Sequence, residues 1–222
     1  MSDKVTTRAG DVPRELERAG ELCLAFANTA APRLDDRSQK TKPPPTLGDY
    51  DDLVDWGRRM GVLEDLDAER LTRAAAERSE DAAVAFTRAL SLRASLVRVF
   101  TAVALGKTVP PRDLDALNGA LHAALPRRRL AGRGKSFQWQ WDGDEEALDR
   151  MLWPVVASAS ELLLSDDLRG LRQCAGESCA RLFLGRGSSR RKWCDMNTCG
   201  SRPKGRRHYE TSLPRRKRYL FS

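Results

Sequence analysis

The sequence predicts a mainly helical fold. A helical domain with one small β-hairpin is followed by a small C-terminal module built around four cysteines, itself a β-hairpin plus a short helix. Three observations lead there. Apolar residues recur at helical spacing through most of the chain up to about residue 165. Strict alternation of apolar and polar residues occurs where Phe137, Trp139 and Trp141 follow a glycine-containing bend. Four of the five cysteines fall in two short-spaced pairs near the C-terminal end.

The elements follow in chain order. "ELCLAFANTA" is apolar nearly all round from Leu22 to Ala27, as in a buried helix stopped before Pro32. Residues 32–46 are polar and proline-rich, a loop. In "GDYDDLVDWGRRMG", Asp49 is placed to cap a helix whose apolar face is Leu53, Trp56 and Met60, with Gly61 ending it. Helices near 67–79 and 81–105 come next. The second carries two stripes, Leu92–Leu96–Val99–Val103 and Phe86–Leu90–Val97–Phe100, which places it centrally in the core. "RDLDALNGALHAAL" is amphipathic, and "RRRLAGRGKSFQWQW" is the hairpin. A long helix is expected over 145–164, kinked at Pro154.

Composition restricts the function classes. The 222 residues are 41% hydrophobic and 32% charged, and no apolar run is long enough to span a membrane. The polar start "MSDKVTTRAGDVPRELERAG" has no h-region, so secretion is not expected and the cysteines are expected in a reducing cytoplasm. The net charge of +8 is uneven: residues 171–222 hold fourteen Lys and Arg against three acids, the rest 25 against 28. A slightly acidic body thus carries a strongly basic end, the pattern of a polyanion-binding module.

Within that end, Cys174 and Cys179 are separated by four residues, as are Cys194 and Cys199, and fourteen residues part the pairs. Each pair sits on a tight turn, with "ARLFL" and "RKWC" as strands and "GRGSS" as their loop. Disulfides or free thiols are the alternative. The reducing context and paired spacing favour a tetrahedral four-thiolate site for one structural Zn2+. Cys23, in the buried first helix, reads as a small core hydrophobe.

"LRQCAGESCARLFL" and "RRKWCDMNTCGSRPKGRRHY" resemble the CGNR zinc-finger family, named for the residues that begin at its last metal ligand. "LCLAFANT", "YDDLVDWGRRMGVL", "LRASLVRVF" and "MLWPVVASASELL" resemble the ABATE-type domain that usually precedes that finger and is described as a stress-induced transcription regulator. Ser201 stands where the naming motif has Asn, and both residues cap helices well. Ala25 stands where the family commonly has an acid, which weakens any ligand site of the family type.

Two domains are therefore expected: 1–168, a helical sensor or regulatory domain with its own core, and 169–222, the zinc finger with its basic tail. The favoured function is a DNA-binding transcription regulator. Arg190, Arg191, Lys192, Arg202, Lys204, Arg206 and Arg207 are the expected contacts to double-stranded DNA, with Pro203 opening a short helix. The alternative is an RNA-binding or protein-docking finger, for which Trp193, His208 and Tyr209 are the aromatics available. An enzyme is not expected: there are two histidines, no phosphate loop and no nucleophile motif, and His122 reads as a surface or satisfied residue. Arg93 occupies the apolar seam Phe86–Leu90–Val97–Phe100. Its structural reading is a salt bridge or snorkelling stem. Its functional reading is a contact, with Asn28 and Thr29, to a small acidic or carbonyl-bearing ligand. The expected location is cytoplasmic, at the nucleoid, and a homodimer is admitted.

Overall fold

The computed structural model describes residues 20–30, 47–176, 179–185, 191–196 and 198–201, with the side chain of Arg133 left aside. The expected loop at 32–46 and the helix after Pro203 lie outside these residues, as do Arg190, Arg202, Lys204, Arg206 and Arg207.

Six α-helices and four short strands form among the described residues. Helix α1 (Glu21–Ala27) buries Cys23, Leu24, Phe26 and Ala27, and a 3-10 turn carries the chain on through Asn28–Ala30. Helix α2 (Tyr50–Arg59) starts where the Asp49 carboxylate accepts the Asp52 N–H at 2.9 Å. It puts Asp51 and Asp52 in its first turn and Arg58 and Arg59 in its last, signs that suit the helix dipole. Helices α3 (Asp65–Glu77), α4 (Ser79–Ala104) and α5 (Pro111–Ala124) follow. α4 touches α1, α2, α3 and α5, so the expected central helix is central. Its most buried seam runs through smaller residues than the sequence indicated: Ala85, Ala89, Leu92, Leu96 and Val99, with Phe86, Leu90 and Val97 only half-buried.

The last helix differs from expectation. Residues 145–151 make turns, and α6 spans Leu152–Leu164. Pro154 therefore falls in the first turn, where its missing N–H has no partner to lose and no kink follows. α6 lies between α1 and α5, and Cys23 N–H donates to Ser158 Oγ at 3.2 Å across the α1–α6 contact.

Strands β1 (Arg128–Arg133) and β2 (Ser136–Trp141) form the expected hairpin, turned at Gly134 with φ +63°. Leu130 pairs with Trp139 and Arg128 with Trp141, so the aromatics share one face. Only its base is covered: Trp141 packs on Trp153, while Phe137 and Trp139 are 74% and 56% exposed. Arg128 lies over the rings of Trp139 and Trp141 and pairs with Glu161.

Strands β3 (Leu171–Gln173) and β4 (Leu182–Leu184) pair antiparallel, Leu171 opposite Leu184 and Gln173 opposite Leu182. This corrects the expected strand pairing. The "RKWC" segment is not a strand among its described residues, and the hairpin encloses the first cysteine pair instead. Alternation then gives the hairpin two faces. Leu171 and Leu182 join the helical core, while Phe183 packs with Cys174, Cys179 and Cys199.

Candidate metal centre and its seat on the helical body

Two turns carry the four cysteines. In the first, which joins β3 to β4, Cys179 N–H donates to Gly176 O at 2.9 Å and Cys174 N–H to Arg181 O at 2.8 Å. Gly176 is favoured by closeness: a Cβ there would stand a tight 3.2 Å from Cys179 Cβ and 3.4 Å from Cys199 Sγ. In the second turn, Asp195 Oδ1 accepts the Thr198 N–H at 2.8 Å and Asp195 O accepts the Gly200 N–H at 3.0 Å. Gly200 is held to glycine more strictly, because a Cβ would meet the Met196 backbone at 2.9–3.0 Å. Ser201 donates to Thr198 O at 3.1 Å, bracing the turn from its far side.

The four sulfurs lie within 4.8 Å of one another. Cys179 and Cys194 are 3.8 Å apart and Cys194 and Cys199 3.7 Å. A tetrahedron with metal–sulfur bonds of about 2.3 Å has sulfur–sulfur edges of about 3.8 Å, so the spacing fits one zinc ion. A disulfide would need about 2 Å, and all five cysteines are free thiols. Cys194 N–H points at Cys174 Sγ at 3.4 Å, a donor that steadies a thiolate. Desolvation, aided by neighbouring thiols, pushes Cys179 up to about 11 and Cys194 higher still. At Cys174 desolvation acts in the same direction but is outweighed by hydrogen bonds from Cys194 and Gly176, and the thiol is lowered. Four such sulfurs become thiolates together only around a cation. Three of the four are buried and all four positions are filled by protein, so the centre is structural in type, with no open position for substrate.

Of the expected nucleic-acid contacts, Arg191 and Lys192 are described and both are exposed. They are not equivalent. The Arg191 guanidinium donates to Trp193 O at 3.0 Å and to Cys194 O, and lies over the Phe183 ring at 5.1 Å. It therefore braces the second cysteine turn. Lys192 serves the fold with its backbone, accepting Ala175 N–H at 2.9 Å, and leaves its ammonium outward. Trp193 is half-buried against the cysteine cluster.

Asn28, Thr29 and Arg93 do come together, at the seam between body and finger. Asn28 spends both ends of its amide on one residue of β4. Nδ2 donates to Leu182 O and Oδ1 accepts Leu182 N–H, each at 2.9 Å. The side chain thus imitates a neighbouring strand and holds the hairpin on α1. Thr29 donates to Phe26 O at 2.7 Å and accepts from Arg93 Nη1 at 3.2 Å. Arg93 is half-buried with no carboxylate partner among the described residues, and desolvation lowers its pKa. Ala25, beside this seam, is half-buried and brings no acid to it.

Two features escaped the sequence reading. Asp113, 1% exposed, pairs with Arg98 through Nε at 3.0 Å to both carboxylate oxygens and Nη2 at 2.7 Å to one of them. Its signal was present in the apolar stripe Asp113–Leu117–Ala120–Ala124, where an acid stands at a core position. Trp153, 3% exposed, has an indole N–H with no acceptor among the described residues. His122 is exposed, in line with a surface role.

The comparisons agree with this architecture. The model of the CGNR zinc finger matches residues 170–212. The ABATE model, described as "Putative stress-induced transcription regulator", matches residues 20–166. No curated protein matches the chain. No described helix is long and apolar enough to cross a membrane. With that match covering more than half of its length, the chain belongs to the ABATE family and carries a CGNR zinc finger behind the family domain.

Proposed function

We propose that the protein is a DNA-binding transcription regulator whose zinc finger grips duplex DNA and whose helical domain, residues 1–168, senses a small acidic or carbonyl-bearing ligand. One observation carries the reading. A cluster of four thiols spaced for zinc stands at the start of a segment, 171–222, with fourteen Lys and Arg against three acids. A finger of this kind presents cations on a frame stiffened by metal, which is what phosphate binding requires. Lys192, which is exposed, and Arg190, Arg202, Lys204, Arg206 and Arg207 in sequence around it, are assigned to the phosphates. Arg191 is assigned to the frame. Arg93, with no carboxylate partner among the described residues, is a charge the body offers a ligand at the seam, while Asn28 and Thr29 transmit through their bonds to β4 and Phe26. The protein is placed in the cytoplasm at the nucleoid, as a monomer or homodimer.

Binding to duplex DNA measured against salt tests this. If four to six phosphates are neutralised, log K falls with log salt at a slope of about −4 to −5. Substituting Arg206 and Arg207 together by Ala flattens the slope by up to about 2 with zinc content unchanged. The RNA reading is favoured by one observation, the exposed Phe137 and Trp139 on a hairpin that also carries Arg129 and Lys135. Tighter binding to single-stranded RNA than to any duplex would establish it. Salt-independent capture of a protein would remove both nucleic-acid readings.

A further inference from the structure

Helix α5 turns Ala116, Gly119, Ala120 and Ala123 toward α4 and α6, and none of these side chains reaches across. A cleft of about 410 Å³, open to solvent along Arg88, Gly119 and Ala123, lies between the three helices. The space at Gly119 is real: a Cβ built there meets nothing within 4 Å. Leu92, Leu152, Trp153 and Val156 give the cavity an apolar floor, and Arg88, Ser91 and Asp149 add charge and hydroxyl to its lining. Its volume and mostly apolar lining are those of a small-molecule site.

Arg88 makes no ion pair among the described residues, and Asp149, though it lines the same cavity, is not bonded to it. A carboxylate entering the cavity would accept from the Arg88 guanidinium. Asp149 sets the limit in the other direction, since a second negative group on the ligand would meet it.

We propose that this cavity binds a small, largely apolar monocarboxylic acid, its carboxylate drawn by Arg88 and its body resting on Trp153 and Leu152. The inference rests on the ligand-sensing half of the function above and moves that ligand from the Arg93 seam to the opposite side of α4. At 3.6 residues per turn, residues 88, 91, 92 and 95 share one face of α4 and residue 93 lies nearly opposite. Arg93 bonds Thr29, the neighbour of the Asn28 that holds β4. An occupied cavity thus presses on the helix that seats the finger.

The test uses the full-length, zinc-loaded chain, with no nucleic acid present. Benzoate, phenylacetate and 3-phenylpropionate, their primary amides, and the dianion phthalate are titrated at millimolar concentrations by calorimetry and tryptophan fluorescence. At least one monocarboxylate is expected to bind one per chain, with its amide and phthalate about tenfold weaker or worse, the usual worth of one charge-assisted hydrogen bond. Gly119→Leu fills the cavity and raises helix propensity, so it is expected to abolish binding in a protein that melts no lower than the wild type. Ala123→Leu repeats that test from the next turn. Arg88→Gln is expected to weaken the acid about tenfold and leave the amide unchanged. No binding by any of the acids overturns the proposal. So does binding that survives both cavity-filling variants, or acid affinity that ignores Arg88. Because no DNA is used, either failure leaves the finger's function standing, and failed DNA binding leaves a positive titration standing.

Discussion

Asp113 is an acid in the position of a core residue, and its behaviour follows from one neighbour. The Arg98 guanidinium, bonded to it at 2.7–3.0 Å, holds the carboxyl below its usual 3.8 despite desolvation. A carboxyl lowered on folding adds stability above its unfolded value and loses it as pH falls through its folded value. Asp113→Asn is therefore expected to cost about 2 kcal/mol at pH 7, less than a fully buried pair because Arg98 is half in solvent. Urea unfolding at pH 7 and pH 3 checks it: the gap to wild type shrinks at pH 3, and a gap that stays constant rules the ion pair out as its source. Cys23 shows the opposite shift. Burial pushes its thiol up to about 12, so thiolate-selective alkylation at pH 8 is expected to spare it until the chain unfolds. Both residues were open to the sequence in kind, an acid in an apolar stripe and a cysteine in an apolar run. The partner of Asp113 was not, because Arg98 stands fifteen residues away on another helix, and only packing brings them together.

At the scale of elements, helices were legible where caps and periodicity agreed. Asp49 and Gly61 bound α2 as its sequence indicates, and α3 and α4 start within two residues of their expected positions. What failed was the strand pairing around the cysteines. Strands of three residues carry too little alternation to choose a partner, and β4 found β3 rather than the segment before Cys194. The choice is made by burial, since only the β3–β4 pairing turns Leu171 and Leu182 toward the helices and Phe183 toward the thiols. Asn28 locks that choice. Asn28→Ala strips Leu182 of both backbone partners at a part-buried position, and about 1–3 kcal/mol of stability is expected to go with them. Hydrogen exchange gives the specific reading. The Leu182 amide is expected to exchange faster in the variant while α2 and α3 amides keep their rates, and unchanged exchange at Leu182 excludes the clamp.

For the molecule as a whole, the seam decides whether the finger folds alone. The sequence divides the chain at 168/169 and gives the helical domain a core of its own, so that losing the metal would leave the body intact. The packing sets a different expectation. Leu171 and Leu182 are 1% and 3% exposed within the helical core, and both belong to strands whose connecting turn holds Cys174 and Cys179. Metal binding supplies much of the folding energy of such small modules. Releasing the turn frees the strands to lift, and each leucine uncovered is worth about 2 kcal/mol. The body has enough buried surface to stay folded without them, with Phe26, Phe100, Leu53, Leu96 and Met151 all remaining inside. Cys179→Ser is therefore expected to leave helical circular dichroism in place at 25 °C and to lower the melting temperature of that helical signal by about 8–16 °C, since about 1 kcal/mol moves a domain of this size by 2–4 °C. A high-affinity zinc chelator added to the wild type is expected to reproduce the shift, and added zinc to reverse it. A helical melt indifferent to both treatments would mean that the finger is an independent unit. In that case neither Asn28 nor the two leucines passes anything from the helical body to the zinc finger.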